Sequence, residues 1–369
     1  MKPNRFSGPQ LVRAAVQVVG FALSIAALIW CYRLATGNQQ LAANWSKLGT
    51  LPLWLMLALP LLSACTVMLS GLVFWTVIRP VQALPLLPTV AVNGVCTLLG
   101  YLPFKLSLFF RVLWHNRRDG VALPTIGGWF GAVASVILVS LAAPVLAALL
   151  VPAVAKSTGL QSGGSAIFFI AMAVMFLVVG IALLYPLSGV ASLLSGKLFG
   201  PVEEPASVRA SIWGKVAAIL AKLADGLVML HNPRVLLAAG LLRGLDLAAQ
   251  GLRFTLAGYA AAHIGLLTAP LEVSQAVIAG CLYFLLQLLA PTGVAGAREG
   301  GTVAIFAMLS PGLNAEQIAP VVLVVSAAEL VGNVFVGVPS IVVLMLRKRQ
   351  LTAEEGKMNT ATDWAGGGA

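Results

Sequence analysis

The chain has 369 residues, of which 59% are hydrophobic and only 9% charged, and its formal net charge is +11. Soluble domains carry about a quarter charged residues, so no water-facing core can bury this much apolar surface, and lipid must be the solvent for much of it. The basic residues stand at the ends of apolar runs, not interleaved with aromatics, which speaks against a nucleic-acid partner and makes them topology-setting charges.

Lys2, Arg5 and Arg13 precede an apolar run that continues to about Ala35. It has no small-x-small cleavage site, and Trp30 before Cys31 spoils a lipoprotein signal, so a retained first helix is expected. Apolar segments occur at about 11–35, 51–78, 124–151, 165–195, 235–262 and 318–346. Each exceeds the roughly 20 residues needed to cross about 30 Å of hydrocarbon. The clusters Lys2/Arg5/Arg13, Arg79, Arg111/Arg117/Arg118, Lys197 through Arg234 and Arg347-Lys348-Arg349 mark the cytoplasmic side, so both termini are expected there. The loops 36–50, 152–164, 263–270 and 311–317 are expected outside. Trp45 and Trp54 flank the outer end of the second span and Trp75 its inner end. Cys31, Cys65, Cys96 and Cys281 form no C-x-x-C pair and read as small apolar residues.

Two stretches do not fit simple spanning. Residues 81–116 hold two short apolar arms around Pro103, and residues 271–312 hold two around Pro291-Thr292-Gly293. A twelve-residue helical arm covers only about 18 Å, so both are expected to be re-entrant hairpins of broken helix, tolerable where protein or a water-filled cavity satisfies the backbone. Units 51–151 and 235–346 then share the order span, hairpin, span, and the linking span 165–195 inverts the second. Pro103 lies 52 residues into its unit and Pro291 56 into its own. This is the inverted-repeat pattern of transporters; the plainer alternative is a coincidence of two proline-kinked hairpins. Residues 206–231 carry an apolar stripe at steps of three and four and are expected to form an amphipathic interfacial helix. The fold class is thus an all-α polytopic membrane protein, with one transmembrane domain over 1–346 and a polar, disordered cytoplasmic tail over 347–369.

Ionisable groups inside membrane segments are costly and mark function by default. Arg243, Asp246, Gln250 and Arg253, spaced three, four and three, form one helical stripe. The last span repeats the device with Ser326, Glu329 and Asn333, and the second hairpin adds Arg298 and Glu299. These groups either form a substrate site or are ion pairs that only orient helices. Lys105 and Arg111 of the first hairpin would tip a shared cavity positive, which suits a phosphate-bearing headgroup. The backbone of Gly293 and Gly296 could offer further N–H groups to an anion. Gly127/Gly131 and Gly240/Gly244 read as close-packing sites. His115, His231 and His263 are scattered, and no G-x-S-x-G, P-loop or H-E-x-x-H run occurs, so neither an enzyme, a metal site nor a cofactor is expected.

The order of these motifs resembles the membrane region of lysylphosphatidylglycerol synthase and its stand-alone, flippase-like relatives of bacterial inner membranes. The run from Pro291 to Gly300 looks like that family's P-x-G-x-G-x-x-E stretch, although Glu299 falls one residue later than that spacing. In the first hairpin Asn93, Pro103, Lys105 and Arg111 match in type and order, whereas Ser107 and Leu108 stand where Gly and Glu are usual. The resemblance implies a multi-pass protein of the bacterial inner membrane that moves lipid between leaflets, with membrane lipids as partners. It does not imply lipid aminoacylation, which belongs to a soluble domain following the membrane region; 23 residues follow Leu346 here. A lipid translocase is therefore the leading expectation, ahead of a transporter of a soluble anion and a non-transporting scaffold. The sequence is silent on oligomeric state.

Overall fold

The computed structural model describes residues 8–37, 39–102, 106–158, 162–198, 226–289, 296–309 and 313–366, and their regular structure is entirely helical. The helices, in chain order, are α1 (Gly8–Thr36), α2 (Gln39–Trp45), α3 (Leu53–Ile78), α4 (Leu86–Leu99), α5 (Leu106–Arg117), α6 (Leu123–Thr158), α7 (Ser162–Leu198), α8 (Pro233–His263), α9 (Val273–Leu289), α10 (Ala297–Leu309) and α11 (Ala315–Gly366). A single turn of 3₁₀ helix, Ser46–Thr50, leads from α2 toward α3. Prolines with extended backbone precede α3 and α4, at Pro52 and Pro85. Asn232 caps α8 by accepting from the Arg234 N–H, with Pro233 at the first helical position, where its missing N–H costs nothing.

Six of these helices (α1, α3, α6, α7, α8 and α11) are long and apolar enough to cross a membrane, and they coincide with the six predicted spans. Their depth in the bundle differs. In α8, 56% of the apolar window is buried, against 11% in α7, so α8 is central and α7 faces lipid along most of its surface. Helices α3 and α8 pack against each other at the centre, and α11 packs on both. Helix α4 packs on α3, α5 and α11; α9 packs on α8, α10 and α6. Helix α6 packs on α3, α5 and α8 and carries α7, whereas α11 packs on α10 and carries α1.

The central pair α3/α8 has an apolar core at each end. At one end Leu51, Leu55 and Leu59 cluster with Phe254, Ala257 and Leu271; at the other, Val73, Val77 and Ile78 cluster with Leu236, Ala239 and Trp129. Between them α3 presents Ser63, Thr66 and Ser70, and α8 presents Arg243 through Arg253. A polar belt is thereby held at mid-depth between two dry ends. Close approach is secured by glycine: a Cβ at Gly332 of α11 would lie 2.5 Å from the Pro60 carbonyl oxygen of α3, and one at Gly240 of α8 would lie 3.1 Å from Ile181 of α7. A Cβ at Gly244 would likewise lie 3.0 Å from Leu177, whereas one at Gly127 of the other G-x-x-x-G pair would meet nothing within 4 Å.

The short helices form two pairs. Gln82, just before α4, donates to the carbonyl of Asp119, just after α5, at 2.8 Å, so the pair α4–α5 begins and ends at the same level. Leu271 before α9 and Ile318 at the start of α11 belong to one buried cluster, with Leu313 packed on it. The predicted turn residues Pro103, Lys105, Pro291 and Gly293 lie outside the described residues, as do residues 206–225 of the expected interfacial helix. The described end of that segment packs tightly: a Cβ at Gly226 would run into the backbone of Gly131 and Ala132 on α6, and Leu230 is buried. From residue 347 the helical backbone of α11 continues to Gly366, where composition led us to expect no regular structure. The stretch has no proline, and its Ala, Glu, Lys and Met are good helix formers, so an existing helix propagates through it.

Candidate functional site

The polar belt is a network built from α3, α8, α10 and α11. Arg298, in the first turn of α10, donates to Glu299 and to Glu329 of α11, each at 2.7 Å. Glu329 also receives Arg253 of α8 at 3.3 Å, and Arg253 donates to Gln250 and, at 3.0 Å, to Ser63 of α3. Ser326 donates to Glu299 at 2.7 Å. Arg298 additionally lies 4.1 Å from the ring centroid of Tyr283, a cation–π contact. Every guanidinium and carboxylate here is buried. Buried charges persist only when paired and hydrogen-bonded, and this network gives each of its charges an ionic partner across four helices, leaving the Arg253 Nε–H without an acceptor among the described residues.

Glu299 has a second role. Its other carboxylate oxygen accepts the N–H of Gly296 at 2.5 Å, closing the start of α10 as the acidic member of a capping box does. The Gly296 N–H, expected from sequence to be available to an anion, is thus occupied by the protein's own carboxylate. Gly296 adopts φ +90, and a Cβ there would overlap the Ser24 carbonyl oxygen of α1.

Beside the network lies a cavity of about 310 Å³, near the midpoints of α3, α8 and α11. Its polar lining comprises Thr66 and Ser70 of α3, Asn93 and Thr97 of α4, Ser107 and Arg111 of α5, Asp246 and Gln250 of α8, Gln287 of α9, and Glu329 and Asn333 of α11. Arg243, Arg253, Arg298 and Glu299 stand behind this lining. Arg243 is ion-paired to Asp246 and lies over the Phe284 ring at 4.1 Å. Arg111 is therefore the single arginine on the cavity wall among the described residues. It donates to Asn93 at 2.5 Å, stacks 3.8 Å from the Phe74 centroid, and is held in place because Asn93 in turn donates to the Val67 carbonyl at 2.7 Å. Leu108, at the position where the resembled family has Glu, also lines the cavity.

Two acceptors in this wall are unengaged. Asp246 Oδ1 and Asn333 Oδ1 are buried and make no hydrogen bond among the described residues, although Asp246 Oδ2 holds Arg243 and the Asn333 amide donates to the Tyr101 hydroxyl at 2.9 Å. The cavity thus has one cation on the α5 side and, on the α8/α11 side, the side chains of Asp246 and Asn333, each with one buried oxygen that has no partner among the described residues. Sequence reasoning missed Ser63, Thr66 and Ser70, although their spacing of three and four is the same stripe signal read on α8 and α11. Tyr101, Tyr283, Phe74 and Phe284 carried no signal, since an aromatic in an apolar run is commonplace.

These features define the class of the molecule: an integral, multi-spanning, all-α membrane protein with a buried polar network at mid-depth. Compared with known protein families, curated proteins and solved structures, the chain matches none at a significant level.

Proposed function

We propose that the protein is a lipid translocase that carries a phosphate-bearing headgroup between leaflets through the cavity beside the α8 stripe. The observation that carries this reading is the cavity's divided lining: Arg111 on one wall, and the unengaged acceptors of Asp246 and Asn333 on the other. A guanidinium already oriented by Asn93 and Phe74 suits phosphate oxygens, and buried acceptors call for a donor such as a headgroup ammonium or hydroxyl. The three remaining arginines are neutralised internally, so they fix the frame around which the headgroup moves.

The packing supports an inverted repeat. Exchanging α3 with α8, α4 with α9, α5 with α10 and α6 with α11 turns every contact among these eight helices into another contact of the same set. The levelled ends of the α4–α5 pair support the reading that it is a re-entrant hairpin, with α9–α10 as its inverted counterpart. Alternating access would then be a rocking of one unit against the other. The resemblance of the Pro291–Gly300 run to the lysylphosphatidylglycerol synthase membrane region agrees with this assignment. In this reading the protein sits in a bacterial inner membrane, with the basic ends of the spans and both termini cytoplasmic.

Proteoliposomes containing acyl-chain-labelled phosphatidylethanolamine, phosphatidylglycerol or phosphatidylcholine test this by the rate at which label exchanges between leaflets. The ethanolamine and glycerol lipids, which have headgroup donors, should move faster than the choline lipid. Arg111→Ala should slow them by about tenfold to a hundredfold, since a hydrogen bond to a charged group contributes about 1.5–3 kcal/mol. Exchange no faster than in protein-free vesicles for all three lipids would overturn the proposal. Uptake of inorganic phosphate in the same vesicles would point instead to a transporter of soluble anions.

A further inference from the structure

A second cavity, of about 350 Å³, lies on the opposite face of α8, between α6, α7, α8 and α9. Its α8 wall is made of small residues, Gly244, Ala248 and Gly251 at steps of four and three, with Gly244 and Gly251 packed closely against Leu177 and Val277. No charged residue lines it. Its two polar side chains, Ser140 and Thr255, each donate to a carbonyl one turn back on their own helix, at 2.6 and 3.0 Å. Those hydroxyls therefore have no proton to offer a guest, and a polar ligand would enter at the cost of its own hydration. On the outer side Ile170, Val174 and Leu252 are exposed, so the groove opens toward lipid.

The groove adjoins the headgroup cavity through a thin partition. Leu247 of its wall clusters with Leu141 and Cys281, and the same cluster is packed by Ile137 and Phe284, which line the polar cavity. Phe284 is also the ring over which Arg243 lies. We infer that the groove is a binding site for a hydrocarbon chain of the same lipid whose headgroup occupies the polar cavity, with Phe284 and Ile137 as the partition that turns aside when the lipid enters. This rests on the translocase reading for the identity of the lipid. The groove supplies the apolar half of a site whose polar half lies across α8, so headgroup and chain are recognised on the two faces of one helix.

The test uses the full chain in phosphatidylcholine vesicles containing phosphatidylethanolamine with a diazirine midway along one acyl chain, photolysed and mapped by peptide mass. Label should concentrate on groove residues such as Leu252 and Val277 over the lipid-exposed Leu57 and Leu61 of α3. Ala248→Trp fills the groove from an exposed position and should lower groove labelling about tenfold, as the loss of roughly two buried methylenes entails, while Ala248→Ser leaves it unchanged. Leu252→Trp on the exposed rim replaces Ala248→Trp if that variant is not monodisperse. Arg111→Ala should also deplete the groove, because the headgroup anchors the chain. Even labelling of all lipid-facing helices, or full groove labelling in the Trp variant, overturns the chain site. Groove labelling that ignores Arg111→Ala overturns the claim that one lipid fills both. If wild-type protein moves no lipid, yet both Trp and Arg111 variants deplete the groove, the translocase reading falls and the two-part site stands.

Discussion

Arg298 of α10 donates to the carboxylate of Glu329 on α11 at 2.7 Å, and both side chains are buried. Glu329 is also the acceptor for Arg253 of α8, so one carboxylate holds two guanidinium groups from two different helices. This makes Glu329 the junction of the network. Glu329→Ala leaves two buried cations without a shared partner and should destabilise the protein by about 3–5 kcal/mol, the usual cost of breaking a buried pair. Glu329→Gln retains an acceptor oxygen and should lose less. Thermal unfolding in detergent checks both; an alanine variant as stable as the wild type would show that the network does not hold the helices together.

Gly296 offers a second test, independent of charge. Its φ of +90 disfavours any other residue, and a Cβ would overlap the Ser24 carbonyl oxygen. Gly296→Ala should cost about 1–3 kcal/mol in backbone strain alone, and the clash must also drive α1 away from the start of α10. Reduced unfolding temperature together with faster proteolysis of α1 is the expected result. Wild-type values for both would contradict the close packing of α1 on this turn.

Much of this architecture is legible in the sequence, for identifiable reasons. Charges inside apolar runs stand out, and a step of three or four puts Arg243, Asp246, Gln250 and Arg253 on one helical face by spacing alone. The choice of partner is not legible. Arg253 finds Glu329 76 residues away, and Arg298 takes two carboxylates at once, so cations that the sequence offers to a substrate are consumed by the fold. Among the described residues, only Arg111 of these cations keeps its place on the cavity wall. The hydroxyl stripe Ser63, Thr66 and Ser70 had the right spacing but a weak signal, because such residues commonly bond their own helix, as Ser63 and Thr66 do here. The Gly296–Glu299 cap was readable as a glycine three residues before a glutamate, yet the same pair reads equally well as an anion cradle.

The seam between α3 and α11 should couple packing to the network. Gly332 lets α11 approach so closely that a Cβ there would lie 2.7 Å from the Ser63 Cβ, and Ser63 also accepts from Arg253 of α8 beside this seam. Gly332→Val should destabilise by about 1–3 kcal/mol through overpacking and should part Ser63 from Arg253. Ser63→Ala removes that hydrogen bond directly. A double-mutant cycle should therefore give a loss smaller than the sum of the two single losses, by about 0.5 kcal/mol or more. Strict additivity would mean that the seam and the network are independent.

The two helix pairs make opposite predictions about sidedness from those of ordinary spans. If α4–α5 and α9–α10 each return to the side they left, the residues flanking one pair share a side of the membrane, and those flanking the other pair share the opposite side. Val81 and Arg118 are exposed at the two ends of the first pair, close to the hydrogen bond between Gln82 and Asp119. Glu272 and Glu316 are exposed at the ends of the second. In a variant whose four native cysteines are replaced by alanine, single cysteines at these positions can be labelled with a membrane-impermeant maleimide in sealed and in lysed vesicles. Val81→Cys and Arg118→Cys should behave alike, and Glu272→Cys and Glu316→Cys should behave alike with the reverse sidedness. A crossing by α4–α5 would put Val81→Cys and Arg118→Cys on opposite sides. The second unit would then no longer be an inverted copy of the first, and a rocking mechanism would lose its symmetry axis. The positive clusters add a sign to the test: by the positive-inside rule Arg79 and Arg117-Arg118 predict cytoplasmic flanks for the first pair, so the first two cysteines should label only from that side.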